Sequence, residues 1–326
     1  MSRAAIAFVL LTAVVARADD IFDPKSKLKV EAERGAGGEG PAWHPELGVL
    51  MSGNGHINRL SRDGKPSVYR KDAGTNGLLF DAQGRLLACE PEQRRVTRTE
   101  ADGKVTVLAD KYDGKRFTEP NDLTVDSKGR IYFSDPCYGD RSKIEMKDDK
   151  GQTIEGVYRI DANGRVTRVI GREVERANGV LVSADDKYLY VADNNNNAKM
   201  GARKLWRFDL KSDGSVDLKS QKLVHDWGEG RGPDGLKQDE GGRLYVAAGL
   251  NKPNPPFEPV TDVKGGIYVI DPLAGTLLAF LPVPTDEVTN CAFGGEDRKT
   301  LYITGGGVLY SIRTTTAGRV VFPPGK

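Results

Sequence analysis

A unit of two short strands, opened by one side chain that carries oxygen, recurs six times along the chain, and this repeat limits the fold more than any other feature. Asn76-Gly-Leu-Leu-Phe-Asp81 followed by Gly84-Arg-Leu-Leu-Ala-Cys89 is one copy. Asn121-Asp-Leu-Thr-Val-Asp126 with Gly129-Arg-Ile-Tyr-Phe-Ser134 is the next, and Asn178-Gly-Val-Leu-Val-Ser183 with Lys187-Tyr-Leu-Tyr-Val-Ala192 repeats it. Asp234-Gly-Leu-Lys-Gln-Asp239 with Arg243-Leu-Tyr-Val-Ala247 follows. Two weaker copies complete the set: Glu39-Gly-Pro-Ala-Trp-His44 before Val49-Leu-Met-Ser52, and Asn290-Cys-Ala-Phe-Gly294 before Thr300-Leu-Tyr-Ile-Thr304.

β-Branched and aromatic runs on either side of a polar turn make each copy a hairpin. Second hairpins lie between the copies: Gly156–Asp161 and Arg165–Ile170 flank Ala-Asn-Gly, and Gly266–Asp271 precedes Thr276–Phe280. Four strands per repeat, six repeats and no long amphipathic helix predict an all-β, six-bladed β-propeller with four-stranded antiparallel blades. Leu28-Lys-Val-Glu-Ala32 stands before Glu39 as a fourth strand stands before the other lead residues, so the N-terminal segment is expected to close the ring.

In such a fold the innermost strand of each blade lines the channel, and the residue that opens it is presented around one axis. The six lead residues are Glu39, Asn76, Asn121, Asn178, Asp234 and Asn290, and all are oxygen donors. Tight turns also favour Asn-Gly and Asp-Gly, which accounts for Asn76, Asn178 and Asp234. Turn chemistry does not call for Glu39 before Gly-Pro, Asn121 before Asp122 or Asn290 before Cys291. Two carboxylates and several carboxamides suit a hard divalent cation, calcium first, since it accepts six to eight oxygens. No histidine or cysteine holds a lead position, which argues against zinc, whereas magnesium and manganese fit the ligand types as well. A strand returning antiparallel ends beside the start of its partner, so Glu90, Asp135, Asp193 and nearby Tyr138 are expected on the same face, bracing the ligands, touching substrate, or simply solvated.

Met1–Arg3 is a short basic start, Ala4–Val15 is almost wholly apolar and Ala16-Arg17-Ala18 has A-x-A spacing, which predicts a signal peptide over residues 1–18. The run is too short to span a bilayer comfortably, and export to the periplasm or the extracellular space is expected, with no membrane span in the mature chain. Loss of Arg3 and Arg17 takes the formal net charge from +2 to 2 − 2 = 0, which leaves no electrostatic case for nucleic acid. No linker or break in composition divides residues 19–326, so one domain is expected, as a monomer or dimer. Of the three cysteines, a Cys89–Cys137 bridge is conceivable in an oxidising compartment, but Cys89 and Cys291 as buried small hydrophobes in apolar strands are the preferred reading. His44, beside Trp43 in an apolar strand, reads as packed, and no nucleophile elbow points to a serine hydrolase.

At these residues the chain resembles the calcium-dependent propeller family of gluconolactonases, regucalcin (the senescence marker protein) and luciferin-regenerating enzyme, and within it the bacterial gluconolactonase branch. The motifs that carry the resemblance are Glu39–His44, Glu119-Pro-Asn-Asp-Leu123, Tyr132–Gly139, Gly156-Val-Tyr-Arg159, Ala177-Asn-Gly-Val180, Gly232-Pro-Asp-Gly-Leu236 and Thr289–Gly294. The resemblance implies that Glu39, Asn178 and Asp234 hold the metal, with Asn121 a fourth ligand or a substrate contact. Glu119 stands where the animal branch has an arginine, and Gly53 and the Asn194–Asn197 run also depart from the family pattern. The implied chemistry is hydrolysis of a small-molecule sugar lactone such as gluconolactone, with the cation polarising the carbonyl and Asp234 as general base. Phosphotriester hydrolysis at the same metal and a non-catalytic propeller tied together by its metal are the alternatives.

Overall fold

The computed structural model describes residues 20–33 and 35–323, so the expected signal segment lies outside the described residues. Strand β1 (Lys29–Ala32) comes first. Blade 1 is β2 (Glu39–His44), β3 (Gly48–Gly53), β4 (His56–Leu60) and β5 (Pro66–Arg70). Blade 2 is β6 (Leu78–Phe80), β7 (Leu86–Glu90), β8 (Arg95–Thr99) and β9 (Val105–Ala109), followed by a small hairpin, β10 (Lys111–Tyr112) and β11 (Lys115–Arg116). Blade 3 is β12 (Leu123–Val125), β13 (Ile131–Ser134), β14 (Val157–Ile160) and β15 (Val166–Ile170). Blade 4 is β16 (Ala177–Val182), β17 (Tyr188–Asn194), β18 (Arg203–Leu210) and β19 (Val216–Asp226). Blade 5 is β20 (Pro233–Gln238), β21 (Leu244–Ala248), β22 (Gly266–Ile270) and β23 (Leu277–Pro282). In blade 6, β24 (Val288–Gly294), β25 (Thr300–Gly305) and β26 (Val308–Arg313) are completed by β1, in the order β1-β26-β25-β24. Lys29 pairs with Ser311 and Val30 with Tyr310, so the N-terminal strand closes the ring as the repeat predicts.

The burial pattern explains why the inner strands read as apolar runs rather than alternating ones. Every residue of β7, β13 and β21 is buried, because each blade is covered on both faces by its neighbours, whereas β5 is almost wholly exposed at the rim. Between blades 3 and 4, for example, Tyr132, Val157, Val182, Leu189 and Phe208 form one buried cluster. The recurring Asp-x-x-Gly-Arg sequence is the turn between the two inner strands of blades 2, 3 and 5. Asp81, Asp126 and Asp239 accept the backbone N–H of Arg85, Arg130 and Arg243 at 2.9, 3.0 and 2.9 Å. Gly84 and Gly129 take the left-handed conformation that this turn requires, both at φ 75°.

The chain then crosses the end of the channel remote from the lead residues. Arg319 donates its backbone N–H to Gln238 and its guanidinium to the Val182 carbonyl, and Phe322 stacks on His44 at 4.9 Å. Val320, Val321 and Phe322 face the far halves of the innermost strands, at Leu79, Leu123, Val180 and Phe293. That end of the channel is thereby plugged. Cys89, Cys137 and Cys291 are all buried and free. Among the described residues no helix is long and apolar enough to cross a membrane.

Candidate active site in the channel

The lead residues sit where the innermost strands of neighbouring blades come closest together. A Cβ on Gly77 would lie 2.7 Å from the Asn121 carbonyl oxygen, and one on Gly179 would lie 2.1 Å from that of Asp234. The glycine after a lead residue therefore serves close approach between blades rather than a tight turn. In blades 4 and 5 the register shifts across the lead residue and its glycine, between Ala177 and Val180 and between Pro233 and Leu236, and in blade 1 it shifts just after the lead, between Glu39 and Ala42. Each bulge turns its lead side chain toward the axis.

One cavity of about 260 Å³ collects these side chains, and Glu39, Asn76, Asn121, Tyr138, Asn178 and Asp234 line it. Asn196, Arg231, Glu287 and Thr289 complete the wall. The remaining predicted residues lie outside it. Asn290 sits beneath, its Oδ1 accepting from Cys291 N at 2.9 Å and from Lys237 Nζ at 3.3 Å. Asp135 accepts the backbone N–H groups of Thr118 and Glu119 at 2.8 and 2.9 Å, which fixes the segment leading into Asn121. Asp193 does the same for Asn178, accepting from Glu175 N and Arg176 N at 3.1 and 2.9 Å and from Trp206 Nε1 at 3.1 Å. Glu90 is engaged by Arg70, Arg95 and Thr97. Glu119 turns away from the cavity to accept the N–H groups of Tyr138 and Gly139 at 2.8 and 3.1 Å.

Four wall residues escaped the sequence reading, although the repeat held a signal for two of them. Arg231 and Glu287 each stand three positions before a lead residue, Asp234 and Asn290, on the rim of the same blade face. Arg231 Nη2 reaches Glu258 Oε2 at 3.0 Å, which ties the Gly249–Gly265 segment to the rim. Asn196 belongs to the asparagine run after Asp193, and Thr289 immediately precedes Asn290.

The electrostatics favour a cation. Burial, and then the charge of Asp122, pushes the Glu39 carboxyl up to about 7. Burial together with the Glu39 charge raises Asp234 well above the ordinary carboxylate range. Burial also pushes Asp135 up to about 7 and Asp193 up to about 6, against the N–H donors that hold them. The Oδ1 atoms of Asn76, Asn121 and Asn178 are buried without a hydrogen-bond partner. Buried carbonyl oxygens lacking a donor, beside two carboxylates that repel each other, have the chemistry of a hard-cation site. Among the described residues no group of three or more His, Cys, Asp and Glu is placed to hold a metal, so any ligand set here must draw on carboxamides.

Known proteins with similar sequences and structures bear on what this arrangement does. A gluconolactonase of Zymomonas mobilis is 28% identical over 284 residues, 85% of this chain and 72% of its own. Pentonolactonase XacC of Haloferax volcanii is 28% identical over 274 residues, 83% of this chain and 81% of its own. The solved structure of a gluconolactonase from Xanthomonas campestris superposes with a TM-score of 0.74 at 27% identity, covering 92% of this chain and 93% of its own. Residues 37–307 match the model of the SMP-30/gluconolactonase/LRE-like region, and with five of its six lead residues gathered around one cavity the chain belongs to that family.

Proposed function

We propose that the protein hydrolyses a sugar lactone, an aldonolactone such as gluconolactone, using one divalent cation, calcium by preference, held by Glu39, Asn121, Asn178 and Asp234. The observation that carries this reading is the convergence of the Glu39 and Asp234 carboxylates and the unpartnered carboxamide oxygens of Asn76, Asn121 and Asn178 on one cavity. The lactonases among its relatives support the choice of substrate class. A bound cation supplies Lewis acidity for a carbonyl and charge stabilisation for the oxyanion. Asp234 takes a proton from the attacking water as its oxygen bonds to the carbonyl carbon. The ring C–O bond then breaks, and that proton passes to the departing ring oxygen to leave the open hydroxy acid. Asn76, Thr289 and Arg231 offer polar contacts for the sugar hydroxyls. The plug at the far end of the channel leaves one mouth, so substrate and product use the same route.

On the strength of the Met1–Ala18 segment the same reading places the enzyme outside the cytoplasm, where calcium is plentiful. The test is turnover of a small panel of aldonolactones, with chelator and with calcium, manganese or zinc restored. Activity that is indifferent to exhaustive chelation, or absent on every lactone, sinks the proposal.

A further inference from the structure

The Tyr138 hydroxyl stands between a backbone carbonyl and one of the candidate ligands. It lies 3.1 Å from the Asn194 carbonyl oxygen and 2.9 Å from Asn178 Nδ2. A phenol has one proton, and a carbonyl can only accept, so the hydroxyl proton is committed to Asn194. The phenol oxygen must then accept, and only the NH₂ side of the Asn178 amide can donate to it. Rotation of the amide by half a turn would set Asn178 Oδ1 against an oxygen whose proton is already given away. The polarity therefore passes in one direction, from Asn194 C=O through Tyr138 to Asn178, and leaves Asn178 Oδ1 buried and unpartnered at the cavity.

Tyr138 is itself held from two sides. Glu119 accepts the backbone N–H groups of Tyr138 and Gly139, and the Arg176 guanidinium lies over the phenol ring at 5.2 Å. The reach of this clamp explains why the Glu119 carboxylate is turned to these backbone N–H groups rather than to the cavity. We infer that Tyr138 is a positioning residue that sets the polarity of the Asn178 carboxamide, so that its oxygen and not its NH₂ is offered to the cation. This rests on the reading of the cavity as a cation site. It concerns what orients the ligand, which that reading leaves open.

Tyr138→Phe keeps the ring under Arg176 and removes only the hydroxyl, and the amide is then free to present either end. Calcium titrated calorimetrically into the metal-stripped protein should bind the variant about ten- to a hundredfold more weakly than the wild type. The melting temperature of the metal-stripped variant should stay within about 4 °C of wild type, since two hydrogen bonds are lost. A carboxylate has no polarity to set, so in the Asn178→Asp background the same Tyr138→Phe change should alter calcium affinity by less than about threefold. Equal calcium affinity of Tyr138→Phe and wild type overturns the inference and leaves the lactonase reading standing. An equal loss in both backgrounds also overturns it, because the hydroxyl would then act on something other than amide polarity. Wild-type protein that takes up neither calcium nor manganese removes both the inference and the cation site beneath it.

Discussion

Glu155 joins two blades behind the candidate site, and its replacement should cost several kcal/mol. Its Oε2 accepts from Arg176 Nε at 2.7 Å and from Cys137 N at 2.8 Å, and its Oε1 accepts from Arg141 Nη2 at 2.7 Å. The Arg176 and Glu155 side chains are only 3% and 4% exposed, so water cannot replace a missing partner. Glu155→Gln keeps the shape and removes the charge, which strands a buried guanidinium at a cost of about 3–5 kcal/mol. At roughly 2.1 cal/mol/K of unfolding entropy per residue, a chain of 326 residues loses about 1.5 °C of Tm per kcal/mol. Scanning calorimetry should therefore show a drop of about 4–7 °C. Because Cys137 precedes Tyr138, kcat/KM on a lactone should fall as well. The double variant Glu155→Gln, Arg176→Met has no stranded charge and should recover part of the lost Tm. A single variant that melts within about 1 °C of wild type, or a double variant whose loss equals the two single losses added together, would refute the buried-pair argument.

Three further outcomes follow from the same geometry. Asp234→Asn should retain the fold while lowering kcat by about 10²–10⁴ at saturating calcium, measured by acid release from a lactone; unchanged turnover with calcium bound rules out Asp234 as the base. Asp135 and Asp193 are raised to about 7 and about 6, so their contribution to stability is complete below the unfolded carboxylate value near 3.8 and is lost as pH rises through those folded values. With calcium saturating, Tm should decline between about pH 4 and 7, and Asp135→Asn should flatten the profile; an unchanged slope in that variant assigns the effect elsewhere. Gly179→Ala forces a methyl toward the Asp234 carbonyl oxygen, 2.1 Å from its ideal position, and should cost about 2 kcal/mol or more together with weakened calcium binding; a variant as stable as wild type would show that the inner strands can part freely.

The propeller was legible in the chain because its signals are local and periodic. Apolar pairs of strands, an Asp-x-x-Gly-Arg turn and one polar lead residue recur at similar spacing, and such a unit cannot bury its faces without stacking on copies of itself. The N-terminal strand's closure of blade 6 could be read in the same way, from its position before Glu39. The lead residues stood out because an oxygen-bearing side chain stands at or within two residues of the start of every inner strand.

Repeat position alone did not decide which of those side chains share a cavity. In blade 6 the register shifts between Val288 and Asn290, one residue before the lead, whereas in blades 4 and 5 the shift spans it. That displacement brings Thr289 to the wall and puts Asn290 beneath it against Lys237, and a bulge moved by one residue leaves no mark in the pattern of apolar residues. Glu119 and Tyr138 show the same division of information. Their spacing placed both near the channel, but only the folded turn shows the carboxylate spent on backbone N–H groups and the phenol turned to Asn178. The chain alone determined that six oxygen-bearing positions would surround one axis, because burial of apolar strands enforces the ring. Tertiary structure decided which way each amide and carboxylate points, since hydrogen bonds between blades depend on partners far apart in sequence.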